Sequence, residues 1–417
     1  MTSPFLLLAL GLFLVIGGII KLRMHAFLAL ALAAFVVGSL TPVAYLERHF
    51  IEEKGESVER SKELSNQNVG KRVAEGFGRT CGKVGILVAM AAIIGICLME
   101  SGAAIRIVRS ALSVFGERRA PEAMAGSSFL LGIPVFFDTL FYLMIPLAKA
   151  LALQTKKNYL LYVLAIVAGG AMTHSLVPPT PGPLLVAGEL NVDLGRMIVG
   201  GLLVGSFGMT GAFLYAGWYN RRHPIEVRIG EEGENVEFLK FAEMKDAQLP
   251  NLLFSLLPIA LPVLLIAGNS ILQQSLAPEA SGWLASMKSS SALLGDKNIA
   301  LTLGAILGLW LLLRSPASKD AKVGGTVGKA LKSAGTIILI TGMGGAFGGI
   351  LQQTSLGLEV SNFVSNQEFG SLAVLIVAYF TTSVIRIAQG SATVAMVTSI
   401  GIVGGLVEQG LGIHPVY

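Results

Sequence analysis

Apolar runs about as long as a bilayer crossing recur along the whole 417-residue chain, and nothing else in it restricts the fold as severely. Roughly 20 apolar residues suffice to cross the hydrocarbon core as a helix. Such runs fall near residues 3 to 20, 25 to 46, 124 to 152, 158 to 177, 196 to 219, 250 to 272, 298 to 314 and 370 to 396, with a shorter one near 400 to 413. One run would be an anchor; this many demand a multi-pass protein. With 53% hydrophobic residues against 14% charged, a water-soluble chain of this length would leave too much apolar surface wet. Backbone in lipid must satisfy its own hydrogen bonds, so the expected fold class is an all-α polytopic membrane protein. The N-terminal run lacks a basic flank and is followed at once by a second run, which reads as a first span and not as a cleaved signal.

Charge and cysteine usage exclude other classes. The excess of 31 Lys and Arg over 26 Asp and Glu lies in short connectors, where it sets orientation, and no basic helix or aromatic-basic platform points to nucleic acid. Cys81 and Cys97 are separated by a mostly apolar stretch and lack the neighbours of a metal site or a disulfide framework, so both read as packing residues.

Interruptions within the apolar runs are more informative than the runs. Segments 83 to 104 and 333 to 357 are rich in Gly and small residues and are expected to form two re-entrant hairpins. Placing Lys21, Arg23, Lys156, Lys157, Arg221, Arg222 and the 314 to 332 connector on one side requires residues 83 to 104 to return to the side they entered. The first hairpin then lies on the non-cytoplasmic face and the second on the cytoplasmic face, at the cost of leaving Arg106, Arg109, Arg118 and Arg119 outside. GICLMES at 95 to 101 parallels GGILQQT at 348 to 354, 253 residues on, and Asp138 and Ser391 stand at the same spacing. These parallels give an organisation of inverted repeats. Residues 1 to 82 supply scaffold spans with a charged insertion at 47 to 80, and 83 to 195 the first transport repeat. Residues 196 to 332 supply further scaffold, and 333 to 417 the second transport repeat.

An ionisable or polar group at membrane depth is costly enough to be a functional candidate. Asp138 and Thr139 follow Gly132 and Pro134, which break the helix and free backbone groups. Desolvation favours a neutral carboxyl, so Asp138 reads as a proton acceptor or, alternatively, as a helix cap at the break. Arg386 has the geometry to hold a substrate carboxylate in a bidentate pair, or to neutralise Asp138, or to snorkel to the interface. Beside it Gln389, Ser391 and Thr393 offer neutral donors and acceptors, and Gly390 close backbone approach. The run from Gly169 to Leu190 contains VPPTPGP, where the prolines and glycine forbid a continuing helix; Thr180, Pro181 and Gly182 lie in that turn. His174 before it reads as a proton relay or as a structural hydrogen-bonding residue. Glu100, Ser101 and Gly102 at the first hairpin tip, and Gln352, Gln353, Thr354 and Ser355 at the second, complete the set, with Glu100 a third proton candidate. No catalytic or metal-binding constellation is present; Ser391 with His174 as an intramembrane nucleophile and base has no supporting spacing.

GFGRTCGKVGIL, GIPVFFDTLFYLMIPLA, GGAMTHSLVPPTPGPLLVA and RIAQGSATVAM together resemble the gluconate permease (GntP) family of proton symporters, and the likeness runs over most of the chain. The resemblance implies a secondary transporter for gluconate or a related sugar acid in the bacterial inner membrane, of elevator type. It requires no cofactor beyond the coupling proton, with sodium left open, and its elevator-type relatives imply a homodimer. D-glycerate, D-serine or a hexuronate stand as alternative substrates, and a passive channel as a different mechanism. It places function at Glu100 to Gly102, Asp138, Thr173 to Gly182, Gln352 to Ser355 and Gln389 to Thr393. Two departures stand out: the 47 to 80 insertion is longer than the family pattern, and that pattern continues for several tens of residues past Tyr417, through a second-repeat counterpart of VPPTPGP.

Overall fold

The computed structural model describes residues 3–155, 158–225, 246–275, 283–318 and 322–356, with scattered positions from 358 to 400. Among the described residues every regular element is helical. Six helices among the described residues are long and apolar enough to cross a membrane, or seven if a pair bent by 98° counts as one span. The helices gather into two units, one of residues 1–85, 181–192 and 336–417, the other of residues 86–180 and 193–335.

In the first unit, α1 (Pro4–Ile20) and α2 (Ala26–Leu40) pack as an antiparallel pair. Their buried faces, including Leu7, Leu30, Ala34 and Val37, close on Phe347 and Ile350. The chain then bends by 98° into α3 (Val43–Arg48), continues through a π-helical turn at His49–Glu53, and enters α4 (Val58–Ser65), where the Ser57 hydroxyl accepts from the Arg60 amide as an N-cap. The first half of α5 (Val69–Glu100) and the second half of α15 (Val323–Gln352) run antiparallel at close range. A Cβ on Gly76 would stand 3.2 Å from the Ala346 Cα, and one on Gly345 would meet Thr80. Small residues let helix backbones approach in lipid, where dispersion and not the hydrophobic effect holds helices together.

These two helices divide the expected interruptions: Ser101–Gly102 does end α5 after 32 residues, whereas the Gly344–Gly345 and Gly348–Gly349 pairs lie inside α15, which runs unbroken for 30. At about 1.5 Å per residue α5 is about 48 Å long, enough by length to cross a membrane. Glycine inside a helix costs about 1 kcal/mol, which close packing offsets; at Gly95 a Cβ would sit 3.0 Å from the Pro134 carbonyl oxygen. The expected charged insertion also ends earlier, because residues 69 to 80 form the start of α5.

The second unit contains α6 (Ala103–Phe115), α7 (Ala120–Leu131), α8 (Phe137–Thr155), α9 (Tyr159–Leu176), α11 (Leu194–Arg222), α12 (Leu252–Ser275), α13 (Trp283–Leu294) and α14 (Lys297–Arg314). The span expected over 124 to 152 is broken where Gly132 and Pro134 predicted it, into α7 and α8. Gly195 packs on Ser270 and Phe254 on Trp310, so α11, α12 and α14 alternate in direction. Leu203, Val204, Phe207 and Leu214 of α11 are exposed, as a lipid-facing surface requires. Both α11 and α14 end in an arginine one turn after a tryptophan, Arg222 lying 4.6 Å from the Trp218 ring and Arg314 lying 6.0 Å from that of Trp310. Such Trp-Arg pairs suit a membrane interface.

Candidate functional site

Each of the two predicted tips is a tight helix-ending turn, and their geometries match at a spacing of 253 residues. At the first, the Ser101 hydroxyl donates to Leu98 O at 3.4 Å, the Gly102 amide to Met99 O at 3.0 Å, and Gly102 adopts φ +76°. At the second, the Thr354 hydroxyl donates to Leu351 O at 2.7 Å, the Ser355 amide to Gln352 O at 3.0 Å, and Ser355 adopts φ +57°. Ser101, Thr354 and Ser355 are fully buried. A left-handed residue closes each helix. Gly102→Ala forces a Cβ into that conformation and is expected to lower stability by about 1–2 kcal/mol, read by thermal unfolding in detergent. Gly78→Ala, in open space within α5, is the control and should not destabilise.

Distant partners hold each tip. In the second unit Ser315, just past α14, donates to Ser101 O at 2.7 Å, while Thr326 and Lys329 of α15 bind the Glu100 carboxylate, the lysine at 3.0 Å. The Arg109 guanidinium pairs with Asp246 at 2.7 Å, ahead of α12. The first tip and Arg109 therefore lie at the same end of this unit as Arg222 and Arg314. The connector that holds Arg109 thus stands with the other basic helix ends of this unit. In the first unit the Ser355 hydroxyl donates to Tyr45 O at 2.9 Å, and Arg72 donates through Nη1 to Gln353 Oε1 at 2.8 Å and through Nη2 to Gly38 O at 2.7 Å. Arg72, Ser315, Thr326 and Lys329 are absent from the sequence-derived set. Arg72 alone carries a sequence signal, as a charge within a helix long and apolar enough to cross a membrane.

Asp138 is the second residue of α8, directly after the turn at 132–136, where the helix N-terminus favours a carboxylate, and its side chain is exposed and not buried as the expected desolvation requires. Thr139 Oγ1 lies 3.5 Å from its Oδ1. The break is braced within the same unit by α9, for a Cβ on Gly132 would stand 3.3 Å from both Gly170 O and Thr173 Cβ. Thr173 donates to Phe129 O at 2.7 Å and Ser128 to Ile166 O at 2.6 Å. His174 follows in the last turn of α9, half-buried.

The VPPTPGP segment is irregular at residues 177–180, with a cis Pro178–Pro179 bond, and Thr180 donates to Val177 O at 2.6 Å. Its second half differs from the expected turn: Pro181, Gly182 and Pro183 open α10 (Pro181–Glu189), since first-turn residues have no intrahelical partner for an N–H. A Cβ on Gly182 would overlap the Met396 methyl and stand 3.6 Å from Thr393 Cα, so Gly182 and Thr393 meet in the first unit. Arg386 is helical and exposed. Gln389, Gly390 and Ser391 lie outside the described residues, as does most of the expected 370 to 396 span. Among the described residues no group of His, Cys, Asp and Glu is arranged to hold a metal ion.

A cavity of about 320 Å³ adjoins the second tip, between α4, α5 and α15. Gln67, Arg72, Glu75, Arg79 and Gln353 supply its polar wall.

The sequence model of the GntP family permease matches residues 57–416. The chain belongs to the GntP permease family. An uncharacterized permease of Haemophilus influenzae is 29% identical over 414 residues, covering 99% of this chain and 80% of that protein. The low-affinity gluconate transporter of Escherichia coli K12 is 28% identical over 395 residues, covering 94% and 80%. The gluconate permease of Pseudomonas aeruginosa is 28% identical over 392 residues, covering 94% and 79%. Among solved structures, the YdaH transporter of Alcanivorax borkumensis shares the fold at TM-score 0.53 and 14% identity, over 82% of this chain and 73% of that one. This GntP permease is thus a multi-pass membrane protein of a permease family and not an enzyme.

Proposed function

We propose that this permease carries gluconate or a related small sugar-acid anion inward across the bacterial inner membrane together with a proton. The observation that carries the reading is a charged residue, Asp138, in the first helical turn after a broken span, in a chain whose two helix tips repeat one buried turn geometry. The names of the relatives in Escherichia coli and Pseudomonas aeruginosa supply the substrate class. In this reading the tips and the breaks at 132–136 and 177–180 form an inverted pair of transport repeats that move against a scaffold. The end of the second unit that holds Arg109, Arg222 and Arg314 faces the cytoplasm by the positive-inside rule. Pairing of two copies belongs to the same proposal, and the mass of the purified protein in detergent measures it. No cofactor enters; the proton is the coupling ion.

Liposomes containing the purified protein are expected to accumulate labelled gluconate under an inward proton gradient and to exchange it in counterflow. Absence of counterflow with gluconate and with a panel of hydroxy acids sinks the proposal. Accumulation that follows a sodium gradient keeps the carrier and replaces the coupling ion.

A further inference from the structure

We propose that the cavity beside the second tip is a binding vestibule for the carboxylate of a small hydroxy acid, with Arg79 as its recognition group and Arg72 as a positioning residue for the tip. This rests on the reading of the chain as a hydroxy-acid carrier.

The electrostatics of the first unit carry the argument. Arg72 is 7% exposed, and its two terminal nitrogens are used by neutral acceptors, Gln353 Oε1 and Gly38 O. Its Nε is buried and without an acceptor among the described residues. A buried guanidinium with no counter-anion is expensive unless the site meets an anion. Arg79, two turns further along α5, makes no hydrogen bond or ion pair among the described residues, and its Nη2 lies 3.4 Å from where a Cβ on Gly349 would stand. Glycine at 349 lets that guanidinium lie against α15. The single carboxylate on the wall, Glu75, is exposed, as Arg79 is, and lies 3.8 Å from Lys71.

Donors outnumber acceptors in this space. Gln353 Oε1 already accepts from Arg72, so its Nε2 is the group left to donate, and Gln353 and Arg79 both line the cavity. Guanidinium plus amide N–H groups suit one carboxylate with adjacent hydroxyls. The volume of about 320 Å³ is within the range of small-molecule sites. The charged insertion thereby acquires a role, since α4 and its following loop supply Leu64 and Gln67 to the wall.

Uptake by liposomes and equilibrium binding to the purified protein, both with gluconate as the probe, test the assignment. Arg79→Gln is expected to raise the half-saturating concentration and the dissociation constant together by about tenfold, the effect of losing one charge-assisted hydrogen bond. Arg79→Lys should recover part of that loss, and Glu75→Gln should shift both values the opposite way by about two- to threefold. Wild-type protein that carries gluconate while Arg79→Gln keeps wild-type values overturns the vestibule and leaves the carrier standing. Wild-type protein that neither binds nor exchanges any hydroxy acid overturns both.

Discussion

Gly169→Ala is expected to destabilise the protein by about 3 kcal/mol and Gly169→Leu to prevent its folding. A Cβ at residue 169 would overlap the Ala125 carbonyl oxygen and stand 2.8 Å from the Phe129 amide nitrogen, and both atoms belong to the α7 backbone. Backbone cannot swing aside as a flexible side chain can, so α7 and α9 must separate. The contacts that separation breaks include the Thr173 to Phe129 and Ser128 to Ile166 hydrogen bonds, which brace the turn before Asp138. Unfolding of detergent-solubilised protein against added denaturing detergent measures the loss. Gly211→Ala and Gly217→Ala, where nothing lies within 4 Å of the added carbon, should leave stability unchanged or slightly raised. A Gly169→Ala protein as stable as wild type would show that the α7–α9 contact is looser than this packing.

Asp138→Asn is expected to abolish gradient-driven accumulation while preserving exchange of bound substrate. Asp138 is the only charged residue between Glu122 and Lys149, so no other carboxylate in the broken span can replace it as a proton carrier. Asparagine keeps the shape and the place in the first turn of α8 but cannot take up a proton. One pH unit is worth about 1.4 kcal/mol, so a gradient of that size drives at most about tenfold accumulation with one proton per substrate. The variant should fall to a ratio of one in the same liposomes, with counterflow retained. Wild-type accumulation and pH dependence in Asp138→Asn would remove this carboxylate from the coupling step and leave its helix-capping position as its role.

Much of the fold was legible because the bilayer simplifies the physics. Apolar length identified α1, α9, α11, α12 and α14 to within a few residues, since a spanning helix must be apolar over about 20 positions. Breaks at Gly132 to Phe136 and at Val177 to Thr180 were legible because proline lacks an N–H and cannot continue a ladder. Glycine was legible at Ser101–Gly102, which does end a helix, but misled at the Gly-Gly pairs of α15, because glycine permits a turn and equally permits close packing, and local sequence does not distinguish the two. Charge misled at the start of α5, where Lys71, Arg72, Glu75 and Arg79 resemble a surface connector yet belong to the same unbroken helix as the apolar residues that follow. A helix can carry such charges where it meets the interface or where partners from other segments satisfy them.

Apolar length, proline placement and a few long motifs are enough to say that this chain lives in a membrane, that it belongs to the GntP permease family, where its spans break and which residues stand at the two helix ends. What holds those ends emerges only when the helices pack: Ser315 on Ser101, Thr326 and Lys329 on Glu100, Arg72 on Gln353. Packing likewise sets Arg109 beside Asp246, at the end of its unit that carries Arg222 and Arg314. The partners of the two helix ends stand more than 200 residues away in the chain, and a hydrogen bond acts over about 3 Å of space without regard to sequence separation. Local pattern reports what a segment can form, whereas packing selects which of its polar groups are bound and which are left to meet a ligand.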